Sequence, residues 1–192
     1  MSLNIAVIYG SVRSARVGLR AAKYMANKWK DRGHDAEIID PQQYNLPIID
    51  KKFAEYPKGK APKNIAEVAK KLNQADGFII VSAEYNHTIP PALSNLLDHY
   101  RTEYSFKPSA IVSYSNGSFG GVRAAVALRT MLPALGMPPI PASFPFPYIE
   151  KALDADGTPL DPAYNRRIKK FLDEFEWYVN ALKNARANGL PY

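Results

Sequence analysis

At 192 residues, with 46% hydrophobic and 22% charged side chains, the chain has the composition of an ordinary globular domain and the length for a substantial core. Its lack of cysteine excludes a disulfide scaffold, thiol catalysis and cysteine metal sites. The 25 Lys and Arg against 18 Asp and Glu give a formal charge of +7 that attracts anionic ligands, but basic and aromatic residues are not interleaved on one face, so no nucleic-acid partner is expected.

In chain order, the apolar run over residues 5–9 ends at Gly10 and reads as a parallel strand buried on both faces. Met1 to Asn4 lead straight into it, so no targeting segment is expected; no apolar stretch has the length of a membrane span, and a cytoplasmic location is expected. Next comes Gly10-Ser11-Val12-Arg13-Ser14-Ala15-Arg16-Val17-Gly18, and the pattern predicts a helix over residues 15–32, with Leu19, Ala22, Met25, Ala26 and Trp29 on one face. Free N–H groups and the dipole's positive end converge at a helix start, and Ser11, Ser14, Arg13 and Arg16 add hydroxyl and guanidinium donors. This is a candidate seat for a terminal phosphate. The plain alternative is a turn whose serines cap the helix and whose arginines face water. A Walker loop is absent, and Val12 and Arg13 stand where a dinucleotide fingerprint needs glycine. Asp40, at the end of the second strand (36–39), sits where a ribose-binding acid would, a weak signal without those glycines.

An irregular segment over residues 41–62 follows, the kind of long loop that is functional or mobile; Lys51, Lys52, Lys58, Lys60 and Lys63 read as its solvated surface. A helix is predicted over 64–72, a buried strand over 78–81, and a helix from the Pro90-Pro91 pair to about residue 100. A fourth strand over 110–114 runs into Ser115-Asn116-Gly117-Ser118-Phe119-Gly120-Gly121, then a helix to about residue 132. The proline-rich segment 140–144 reads as an edge strand, and a last helix over 162–188 carries Ile168, Phe171, Leu172, Phe175, Val179 and Leu182. Trp29 and Trp177 lie in helical stripes and are expected to be buried. The alternation predicts one α/β domain over 1–192 with a parallel sheet.

In such a sheet, ligands bind beyond the carboxyl ends of the strands, where the loops after strands one, three and four all emerge. Glu84-Tyr85-Asn86 offers amides and an aromatic face, and the glycines of 117–121 let a flat ligand approach bare backbone. Together they would hold a planar heteroaromatic ring, with its phosphate tail at residues 11–16. His34, His87 and His99 show no metal-ligand spacing, and Gly117-Ser118-Phe119-Gly120 is one residue short of a nucleophile elbow, so neither metal nor serine-hydrolase chemistry is expected.

Gly10-Ser11-x-Arg13-x-x-Arg16, Glu84-Tyr85-Asn86 with Pro90 behind it, and Gly117-x-x-Gly120-Gly121-x-Arg123, in this order, resemble the NADPH-dependent FMN reductase family. The resemblance implies a flavodoxin-like three-layer sandwich with a five-stranded parallel sheet of order 2-1-3-4-5. It implies FMN, with its phosphate at Gly10, Ser11, Arg13, Ser14 and Arg16. The ring would lie between Glu84, Tyr85, Asn86 and His87 and the loop of Ser115, Asn116, Gly117, Ser118 and Gly120. NADPH or NADH would supply hydride with no catalytic side chain, and the acceptor would be a flavin, quinone, azo compound or metal chelate. A homodimer or homotetramer is implied too. Three positions depart from the family pattern: Ala83 where many relatives have Pro, Ser94 where many have Lys, and Arg16 where others carry a small hydroxyl. The rival readings are a flavodoxin-like electron carrier and a redox-linked interaction protein.

Overall fold

A computed structural model describes residues 2–191. Five strands, β1 (Asn4–Tyr9), β2 (Asp35–Ile39), β3 (Gly77–Ala83), β4 (Ser109–Tyr114) and β5 (Pro139–Phe146), form one sheet in the order β2-β1-β3-β4-β5. All four pairings are parallel, as the near-continuous apolar runs require. The helices are α1 (Leu19–Lys30), α2 (Pro41–Tyr44), α3 (Lys63–Gln74), α4 (Pro91–Asp98), α5 (Val122–Ala134), α6 (Ile149–Ala152) and α7 (Ala163–Ala187).

Successive strand residues alternate between two cores. Ile5, Val7, Ile79, Val81 and Val112 pack with α1 and α7 on one face, while Ala6, Ile8, Phe78, Ile80 and Ile111 pack with α3, α4 and α5 on the other. The register sets Tyr9 beside Val81 and Ala83 beside Tyr114, so the chain leaves three neighbouring strands at one rim.

Four elements differ from the sequence reading. The first helix begins at Leu19, because residues 11–18 stay in a loop, and Gly18 at its N-cap has no side-chain cap. The segment after β2 is fastened rather than loose: Asn95 accepts from the Ile49 amide (2.9 Å) and donates to the Pro47 carbonyl (2.8 Å), and the Phe53 amide donates to the His99 carbonyl (2.8 Å). Its lysines are exposed. The short α6 carried no recognisable pattern. Trp29 is buried, but Trp177 is 66% exposed. It lies two positions from the inward Phe175, about 200° round the helix, on the solvent side.

β5 is indeed an edge strand. Its outer groups are engaged by side chains: Arg129 donates to the Ile140 and Pro141 carbonyls (3.1 and 2.6 Å), and Glu174 accepts from the Ala142 amide (3.2 Å).

Candidate functional site

A cleft of about 420 Å³ opens at the carboxyl edge of the sheet, within the size range of small-molecule sites. It is lined by Ser11, Arg13 and Arg16 from the loop after β1, Glu84 and Tyr85 after β3, and Ser115 and Asn116 after β4. Three predicted loops therefore meet in one cavity. Gly10, Ser14, Asn86, His87, Gly117, Ser118 and Gly120 do not line it directly. The sequence reading missed Val17, Tyr114 and Glu150, which do.

In the first loop the serines do not cap the helix. The Ser11 hydroxyl hydrogen-bonds the Tyr85 hydroxyl at 2.7 Å and accepts weakly from the Arg13 amide at 3.4 Å. Gly10 extends the sheet, its amide donating to the Val81 carbonyl (3.0 Å), and Ser14 is exposed. Arg13 is exposed, with its guanidinium carbon 5.9 Å from the Tyr85 ring centroid; among the described residues no carboxylate pairs with it. Arg16 turns inward. Its two terminal nitrogens donate to the two oxygens of Asp40 (2.5 and 2.6 Å), and one also reaches the Ser11 carbonyl (3.0 Å). The hydrogen bond to Asp40 raises the Arg16 pKa, so the guanidinium stays protonated.

Under this loop lie two buried phenols. Tyr114 donates to the Tyr9 hydroxyl at 3.2 Å, and burial raises the pKa of both. The Tyr114 ring presses on Gly18 so closely that a Cβ there would lie 1.8 Å from it. Gly18 is thus fixed by close approach, at an ordinary φ of −72°.

The ring-side loops are tied to each other. Glu84 accepts from the Arg123 and Ala124 amides (2.9 and 3.3 Å) and from the Arg123 guanidinium (3.4 Å), capping α5, whose own N-cap, Gly121, has no side chain to do so. The Glu84 carboxylate is therefore a helix cap that joins two loops. Asn86 and His87 form the tip of a tight turn, with φ of 49° and 63°, closed by paired hydrogen bonds between Tyr85 and Thr88 (3.1 and 3.0 Å). Left-handed backbone at a histidine is strained, and the rim holds it there. Of the three glycines predicted to present bare backbone, Gly117, Gly120 and Gly121, only Gly117 has room for a side chain, the nearest atom to a Cβ there being the Ser115 Oγ at 3.9 Å. Gly120 is buried, and a Cβ there would meet the Pro147 nitrogen at 2.8 Å, so its missing side chain serves packing against the end of β5. Asn116 and Ser118 are exposed on the same loop.

The donor set suits a phosphorylated planar ligand: a guanidinium with no carboxylate partner among the described residues and a hydroxyl, both beside the aromatic face of Tyr85.

Comparison with known proteins supports the same assignment. A family model described as NADPH-dependent FMN reductase matches residues 3–151. An NAD(P)H-dependent FMN reductase from a Nectria species is 34% identical over 135 residues, covering 67% of this chain and 66% of that protein. A quinone reductase from Pseudomonas putida is 28% identical over 185 residues, covering 92% and 94%. In fold, a flavoenzyme NAD(P)H:(acceptor) oxidoreductase from Paracoccus denitrificans superposes with a TM-score of 0.75 at 22% identity, over 93% of this chain and 98% of that one.

Proposed function

The chain belongs to the NADPH-dependent FMN reductase family, and from that premise we propose that it is an NAD(P)H-dependent oxidoreductase with FMN as its cofactor, reducing a quinone or a free flavin. Azo compounds and metal chelates are further acceptors under the same proposal. The observation that carries it is the single cleft shared by the loops after β1, β3 and β4, in which the Ser11 hydroxyl and the Arg13 guanidinium stand beside the Tyr85 ring.

When bound, FMN supplies the hydride chemistry, and the protein's part is to bind and orient it. Ser11 and Arg13 hold the phosphate, with Gly10 and Ser14 shaping the loop. Tyr85 flanks the ring, and Asn86 and His87 offer amides at its edge. Ser115, Asn116, Gly117 and Ser118 would hold the pyrimidine end through main-chain N–H groups. Glu84 and Gly120 act one step back, holding those loops in place.

Phe119, Val122 and Val126 are 61%, 39% and 67% exposed at the start of α5, beside the ring-side loop. This apolar patch supports a homodimer or homotetramer. A cytoplasmic location, where nicotinamide nucleotides are regenerated, completes the proposal.

Anaerobic stopped-flow mixing of NADPH with flavin-loaded protein tests the function. Bleaching of the flavin absorbance, followed by turnover with menadione, is the expected result. Flavin that stays oxidised would point instead to an electron carrier, and bleaching without turnover to a redox-linked interaction protein.

A further inference from the structure

Resting on the flavin-site reading above, we propose that Arg16 and Asp40 are a positioning pair that braces the phosphate loop, and that Arg16 is not itself a phosphate ligand. The fork of Arg16 is spent: both terminal nitrogens face Asp40 at 2.5 and 2.6 Å, and one also holds the Ser11 carbonyl at 3.0 Å. The side chains are 14% and 3% exposed, so the pair is close to buried, and the guanidinium carbon lies 5.3 Å from the Tyr9 ring centroid. To reach a phosphate, Arg16 would have to abandon a carboxylate with almost no access to water. Leaving a buried charge unpaired is strongly unfavourable.

The anchor is itself anchored. Asp40 is the N-cap of α2 and accepts from the Gln42 amide at 3.0 Å, while the Gln42 side chain donates to the Val12 carbonyl at 2.9 Å. Two successive carbonyls of the loop are thus held, Ser11 by Arg16, which Asp40 at the end of β2 anchors, and Val12 by Gln42 in α2. Held there, these acceptors cannot swing toward an anion and repel it, and the spacing between the Ser11 hydroxyl and Arg13 is fixed. The structure thereby gives Asp40 a role other than binding a ribose, and makes Arg13 the cation available to the phosphate.

The test uses Asp40→Asn, Arg16→Met, the double variant and Gln42→Ala. Dissociation constants are measured for FMN and for riboflavin, which lacks the phosphate, along with kcat at saturating FMN. Each single change at the pair should weaken FMN about tenfold, with the double variant no weaker than either single one, because both changes remove one interaction. Riboflavin affinity and kcat at saturating FMN should stay at the parent values, which a general loss of folded protein would not allow. Gln42→Ala leaves the buried pair intact and should weaken FMN about threefold; it keeps the proposal testable if the pair variants fold poorly. A weakened Arg16→Met beside an Asp40→Asn that binds FMN as tightly as the parent, or more tightly, would overturn the brace and make Arg16 a direct ligand. So would parental FMN affinity in all four variants.

Hydrogen exchange of the residue 12–16 amides in flavin-free protein gives a readout independent of the cofactor. Faster exchange in Asp40→Asn and Arg16→Met supports the brace, and unchanged exchange contradicts it. A parent protein that binds neither flavin would refute the site reading, while the exchange result would still decide the brace.

Discussion

At the amino edge of the sheet, Asp76 accepts from the Asn4 amide (3.0 Å) and Lys183 (2.8 Å), Arg186 donates to the Phe106 carbonyl (2.7 Å), and Lys107 donates to the Leu72 and Asn73 carbonyls (2.8 and 3.0 Å). At the carboxyl edge, Arg13 is left without a carboxylate among the described residues, and Asn86, His87, Asn116 and Ser118 stand exposed on loop tips. One rim spends its charges on closing helix ends and docking α7. The other ties its loops with the Arg16–Asp40 and Glu84–Arg123 pairs but leaves Arg13 in reserve. On the proposed function, the exposed polar residues of the carboxyl edge face a ligand, whereas those of the amino edge stabilise the fold.

The sharpest way to break this contrast is Ser11→Ala with Arg13→Ala. Losing a charge-assisted contact and a hydroxyl should weaken FMN about 100-fold. Riboflavin affinity should fall far less than FMN affinity, and Tm only by the small amount that the lost Ser11–Tyr85 hydrogen bond costs; a binding titration with both flavins and a thermal melt check this. At the opposite rim, Asp76→Asn should behave inversely. It should cost about 1–3 kcal/mol in denaturant unfolding, because Lys183 and Arg186 lose their shared carboxylate, and leave FMN affinity at the parent value.

The pH dependence sharpens the same comparison. Burial raises the Tyr114 pKa above its ordinary 10.0, so the folded state retains that proton longer than the unfolded chain does. Its contribution is fully present below pH 10 and is lost as pH rises from there toward the folded-state value. Tyr114→Phe should flatten that loss in urea unfolding measured above pH 10. Lys107 runs the other way: burial lowers its pKa to about 8, so its contribution to stability grows as pH rises from about 8 to 10.5. Lys107→Met should remove that rise. The smallest effect is expected at the strained turn. His87→Gly should stabilise the protein by about 0.5–1 kcal/mol, because glycine adopts φ of 63° freely; unchanged stability in urea would mean that the turn stores no strain.

The buried parallel strands and the convergence of three loops were legible in the sequence because continuous apolar runs ending in glycine or polar residues mark such strands and their exits; the strand order was implied by the family resemblance. What escaped were pairings between distant residues. Nothing local signals that Arg16 will meet Asp40 24 residues on, or that Glu84 will cap a helix 39 residues away, since each depends on which loops the sheet brings together. Gly18 looked like any glycine before a helix until the Tyr114 ring was found against it. Gly120 looked like ligand-facing backbone and proved to be packing space for Pro147. Trp177 shows the limit of helical spacing: the stripe beside it was right, and its own position two residues on faces solvent.

The most direct test of the cofactor assignment is a crystal structure of the protein soaked in FMN. The account predicts the phosphate against Ser11 and Arg13, and the ring between Tyr85 and the loop of Ser115 to Ser118. A flavin seated elsewhere, or a carboxyl-edge cleft that stays empty at saturating FMN, would contradict it.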